Sequence, residues 1–105
     1  MAPRIVRSLD AERDLIELFD YIAIETGVDD AEAVLRRIER TLDNLALFPR
    51  IGRIRADLNG SPRIFSVRPW LVVYEPSDDG SGIVVWRVVD GRRDVANLIL
   101  GRPKR

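Results

Sequence analysis

Hydrophobic residues change their spacing once along this chain, and that change limits the folds open to it. Before Pro49 they recur at the helical interval; after Pro62 they gather in short β-forming runs. Residues 31–45 are the clearest helical case. Ala31, Val34, Leu35, Ile38, Leu42 and Leu45 fall at i, i+3, i+4 and i+7. Their arc is about 100° wide, the breadth of a helix with one buried face. Asp29 or Asp30 is placed to cap its start, and Pro49 ends it.

The preceding segment, "AERDLIELFDYIAIETG", sets Ala11, Leu15, Leu18 and Ile22 on a second helical stripe. Ser8 or Asp10 can accept from the free N–H groups of its first turn, and Gly27 suits its C-terminal end. Two amphipathic helices with a short polar connection make an antiparallel hairpin. The first helix carries more apolar surface than one core stripe needs. Ile16, Phe19 and Ala23 widen its arc to roughly 160°. Either they broaden its contact with a sheet or the first strand, or they form a second apolar surface kept for a partner.

Strands flank this hairpin. "PRIVRS" (3–8) can form a short first strand around Ile5 and Val6. "RIFSVR" (63–68) alternates, while "WLVVYE" (70–75) and "IVVWRVV" (83–89) are nearly continuous β-branched and aromatic runs. "PSDDGSG" between the last two has hairpin-turn chemistry. "FPRIGRIRADLNGSP" (48–62) follows neither period and is expected as a loop, pinned by Ile51, Ile54 and Leu58 with Arg50, Arg53 and Arg55 outward. "RDVANLIL" can pack as a short helix or strand, and residues 101–105 are expected as a frayed basic tail. The order β-α-α-β-β-β predicts a single α+β domain over residues 1–105. Its antiparallel sheet is covered on one face by the helical hairpin, leaving the other face free to bind.

Composition excludes much chemistry. No cysteine means no disulfide and no thiolate metal site, and no histidine removes the commonest general base and metal ligand. No apolar run approaches the roughly 20 residues that span a bilayer, and the N-terminus lacks the apolar core of a signal peptide. A cytoplasmic protein without membrane contact is expected. Net charge is zero but unevenly spread. Residues 1–49 hold six arginines against eleven carboxylates, a net −5; residues 50–105 hold eleven basic residues against six, a net +5. A molecule with an acidic and a basic face follows.

"DLIELFDYIA", "FPRIGRIRADL", "RIFSV", "WLVVYE" and "VVWRVVDGRRDV", in this order and spacing, resemble the RelE/ParE family of type II toxins, and ParE more than RelE. The resemblance runs from about Leu9 to Leu100. It implies a small toxin neutralised in a tight complex by a cognate ParD-like antitoxin, itself a ribbon-helix-helix protein through which any DNA contact is made. ParE members poison DNA gyrase, whereas RelE members cut mRNA in the ribosome; a third possibility is a family member that only binds antitoxin. Asp90 stands where the ParE-like ending commonly has histidine.

RNA cleavage needs groups that activate a 2′-OH and protonate a leaving oxygen. RelE-like nucleases resemble one another in using Arg, Lys and a C-terminal Tyr or His. Here Trp70 stands where RelE has an arginine, Asn97 and Leu98 lie near the place of the tyrosine, and the lone lysine is Lys104. Tyr74 lies mid-strand and reads as packing. A binding inhibitor without catalytic residues, cofactor or metal is therefore expected, with Ile16, Phe19 and Ala23 as the antitoxin surface.

Arg68, Trp70, Arg87, Arg92 and Arg93 are the candidates for binding a target or partner. Arg87, among apolar neighbours, either extends its head group to a sheet edge or pairs with Asp90 or Glu75. Simple alternation sets it with Ile83, Val85 and Val89, and sets Trp86 with Val84 and Val88. If "RDVANLIL" is a helix, Arg92 and Arg93 at its first turn oppose its dipole, an arrangement suited to an anion or acidic partner. Trp86 reads as core and Trp70, after the Arg68-Pro69 bend, as interface.

Overall fold

The computed structural model describes residues 2–103. A first strand, β1 (Arg4–Arg7), leads through Ser8 into α1 (Leu9–Thr26) and α2 (Val28–Leu47). The two-residue strand β2 (Arg53–Ile54) interrupts the long loop. It is followed by β3 (Arg63–Val67), β4 (Trp70–Pro76), β5 (Gly82–Asp90) and a single helical turn, α3 (Val95–Leu98).

Ser8, not Asp10, caps α1. Its hydroxyl accepts from the Ala11 N–H at 2.9 Å and donates to the Trp86 carbonyl at 2.7 Å, so one side chain starts the helix and fastens it to β5. Asp10 and Glu12 lie in the first turn, where the helix dipole favours them. Neither Asp29 nor Asp30 caps α2. Gly27 alone joins the helices at φ 112°, so α2 begins at Val28 and both aspartates fall inside its first turn.

The strands form one sheet in the order β1-β5-β4-β3-β2. β3 through β5 pair antiparallel, as the sequence predicts; β2, within the segment expected as loop, adds antiparallel to β3, whereas β1 pairs parallel to β5, with Ile5 opposite Ile83 and Val6 opposite Val84. The Ser8 bond to Trp86 lies one residue beyond this parallel ladder and ties its end to the start of α1.

Ala11, Leu15 and Leu18 of α1 and Ile38, Leu42 and Leu45 of α2 pack on Val67, Val72, Tyr74, Ile83, Val85 and Val88 of the sheet. The opposite face is not free. Leu58 from the loop and Val95 and Ile99 from the C-terminal segment close over Ile64, Val73, Val84, Trp86 and Val89. Continuous apolar runs in β4 and β5 are the cause, because both faces of these strands must leave water.

β4 and β5 lose register once. Val73 pairs with Arg87 but Tyr74 pairs with Val85, leaving Trp86 as an extra residue. Beyond this bulge the alternation reverses: Val88 joins the helix side, and Val89 shares the second face with Trp86. The simple parity therefore holds for Trp86 with Val84, but fails beyond the bulge, where Val88 leaves Trp86's face and Val89 leaves that of Ile83 and Val85.

The loop is held mainly by polar contacts. Leu58 is buried, but Ile51 and Ile54 are about half exposed. The Tyr74 hydroxyl instead donates to the Pro49 carbonyl and accepts from the Gly52 N–H, while Arg63 donates to the Gly52 carbonyl. Arg50 and Arg53 point outward as expected, and Arg55 pairs with Asp57. The C-terminal segment is also tied down. Arg102 bridges Glu75 at 2.7 Å, and Asn59 donates to the Leu100 carbonyl. The expected frayed tail is thus anchored at Arg102; Lys104 and Arg105 lie outside the described residues.

Candidate functional site

Two concave surfaces flank α1, one on each side of its buried stripe. The first is a cleft of about 350 Å³ where α1 meets the ends of β4 and β5. Trp70, Arg87, Arg92 and Arg93 all line it, so the fold brings together four of the five residues chosen from sequence. Arg68 is not among its walls. It is exposed at the β3–β4 turn, where its carbonyl accepts from Arg37 at 2.6 Å.

Arg87 pairs with neither Asp90 nor Glu75. Its Nε and Nη2 meet both oxygens of Asp14 at 2.7 and 2.9 Å, and its Nη1 donates to the Leu98 carbonyl at 3.1 Å. Asp14 also accepts from the Val88 N–H, a backbone donor beside the bulge. Hydrogen bonding to Asp14 raises the Arg87 pKa above its ordinary value, against the opposing effect of burial. Glu75 is engaged by the Trp86 indole at 2.8 Å and by Arg102. Trp86 is accordingly core, and Trp70 is half-buried with one side packed on the helix-side core.

Asp90 has a partner of its own. Arg92 reaches both its oxygens at 3.0 and 2.7 Å, and the Arg92 N–H donates to it as well. These bonds hold the Asp90 carboxyl at a pKa of about 2. Arg92 and Arg93 precede α3 rather than forming its first turn, so no conflict with a helix dipole arises. Asp14, Glu17, Asp90 and Tyr21 supply the cleft's other polar side chains, over an apolar floor of Leu18, Val88 and Val89. Sequence reasoning missed Asp14, although an acid at the flank of the Ala11–Leu15–Leu18 stripe was a signal for a partly buried partner.

The second surface is a groove of about 400 Å³ between α1 and α2, open beside Arg7 of β1. Leu15, Ile16, Phe19 and Leu35 form its apolar part, and Glu12, Asp20 and Glu39 its rim. Ile16 is 62% exposed. Neither Ile16 nor Phe19 packs into the core cluster, so the widened arc of α1 makes a surface rather than a deeper core contact. Ala23 is half-buried one turn beyond and does not line the groove.

Described as the ParE toxin of the type II toxin-antitoxin system parDE, a family model matches residues 5–95. The chain is 40% identical over 93 residues to "Toxin ParE3" of Caulobacter vibrioides, covering 89% of this chain and 91% of that one. It is 34% identical over 95 residues to "Toxin ParE1" of Mycobacterium tuberculosis, covering 90% and 96%. Its fold is similar to that of a chain from the chromosomal ParDE system of P. aeruginosa, with a TM-score of 0.69 at 15% identity over 85% of this chain and 96% of that one. The match runs from the first strand to the start of the last helix and extends to two named toxins; this chain belongs to the ParE toxin family of type II toxin-antitoxin systems.

Proposed function

We propose that this toxin arrests growth by binding DNA gyrase rather than by breaking bonds, and that a ribbon-helix-helix antitoxin neutralises it by occupying the α1–α2 groove. The observation that carries the first part is the state of the cleft. Three arginines there face three carboxylates, and two of those arginines are held by Asp14 and Asp90. Tyr74, the one mid-sheet phenol, is engaged as both donor and acceptor, and burial raises its pKa. Two of the three arginines are thus already neutralised by bidentate pairing, an arrangement that suits the cleft to recognising a partner surface, with Arg93 left to meet it.

Purified toxin is expected to make gyrase accumulate cleaved DNA and to leave mRNA intact in a translation extract. Codon-phased mRNA cleavage that disappears in a folded Arg87→Ala or Tyr74→Phe variant would overturn this assignment. The antitoxin part rests on Ile16 and Phe19, apolar yet outside the core, with Ala23 extending the surface by a turn. Phe19→Asp should release a co-expressed antitoxin while the free toxin melts as wild type does. Failure of that variant to fold alone would return Phe19 to the core.

A further inference from the structure

The cleft and the groove differ in charge. Cleft carboxylates and arginines are equal in number, whereas the groove sets one arginine, Arg7, against Glu12, Asp20 and Glu39. Arg7 approaches Glu39 at 4.0 Å. Glu12 and Asp20 have no ion-pair partner among the described residues and are exposed. They also stand in register. Glu12, Ile16 and Asp20 succeed one another at single-turn intervals along α1, so an apolar side chain lies between two carboxylates about 12 Å apart.

From this geometry we infer the chemistry of the groove's occupant: a basic amphipathic helix. Its apolar side chains cover Leu15, Ile16, Phe19 and Leu35, and a Lys or Arg on each side of them meets Glu12 and Asp20. Two such residues i and i+7 apart on the incoming helix span about 11 Å, close to the separation of the two acids. An acidic helix with the same apolar face would bring like charges together at the rim, where the two unpaired carboxylates, Glu12 and Asp20, repel it. The inference deepens the antitoxin reading of the groove and rests on it.

The test uses two synthetic helical peptides with one shared Leu/Phe face, one flanked by Lys and the other by Glu. Each is titrated against wild-type toxin, Phe19→Asp, and Glu12→Lys combined with Asp20→Lys. The basic peptide should bind about tenfold tighter than the acidic one, with the gap narrowing as salt rises. Phe19→Asp should abolish binding of both, and the double charge reversal should invert their order. Equal binding of the two peptides, both lost in Phe19→Asp, keeps the groove as a docking site and overturns its charge selectivity. Binding unaffected by Phe19→Asp, or no binding by either peptide, overturns the groove reading and this inference with it.

Discussion

Replacing Asp14 by alanine should be among the most damaging changes to the fold outside the apolar core. The carboxylate is 11% exposed and makes three bonds, two to Arg87 and one to the Val88 N–H. Stripping one partner from a fully buried pair costs about 3–5 kcal/mol. Arg87 retains 24% exposure and can recover part of that loss from water. The Val88 N–H, left without an acceptor, adds up to about 1–3 kcal/mol, and the two effects overlap. The expected loss is about 3 kcal/mol, a fall in Tm of roughly 10–20 °C for a chain of this size. Removing both charges with Asp14→Leu and Arg87→Met should restore most of it, to about 1 kcal/mol below wild type, because no unpaired charge remains. Urea unfolding of wild type, both single variants and the double variant closes the cycle. A loss below about 1 kcal/mol in Asp14→Ala, or a double variant as weak as the two singles added together, would refute an ion pair joining α1 to the bulge.

Arg92→Ala with Arg93→Ala should reduce growth inhibition more than Arg53→Ala with Arg55→Ala, since the first pair lines the cleft and the second flanks a loop strand. Thermal melts should stay near wild type for both, and equal toxicity of the two double variants would reduce the cleft arginines to a solvated face. The Asp90 carboxyl should titrate by NMR at about 2 and return toward 3.8 in Arg92→Ala. Because its folded pKa lies below the unfolded value, its contribution to stability is present above about pH 4 and fades as pH falls toward 2; an unshifted titration in the variant would deny the pairing. A Cβ on Gly52 would run into the Tyr74 hydroxyl and lie 2.8 Å from the Ile64 carbonyl, so Gly52→Ala should cost about 1–3 kcal/mol in a denaturant titration. A neutral result would show that the loop can move away from Tyr74.

Periodicity alone determined the two helices, the three long strands and their order, because each depends on side chains a few residues apart. The extra apolar arc of α1 was legible for the same reason, and so was the core position of Trp86. What tertiary structure decided involves distant residues. Arg87 lies 73 positions from Asp14, and no local pattern in β5 reveals that pairing. Nor does a two-residue alternation reveal the bulge at Trp86, since one inserted residue leaves every neighbour's identity unchanged while reversing the faces beyond it. The second face of the sheet looked open because Leu58, Val95 and Ile99 lie in segments without strong periodicity. They close over it because β4 and β5 are apolar on both sides, and that surface leaves water only when distant segments fold across it.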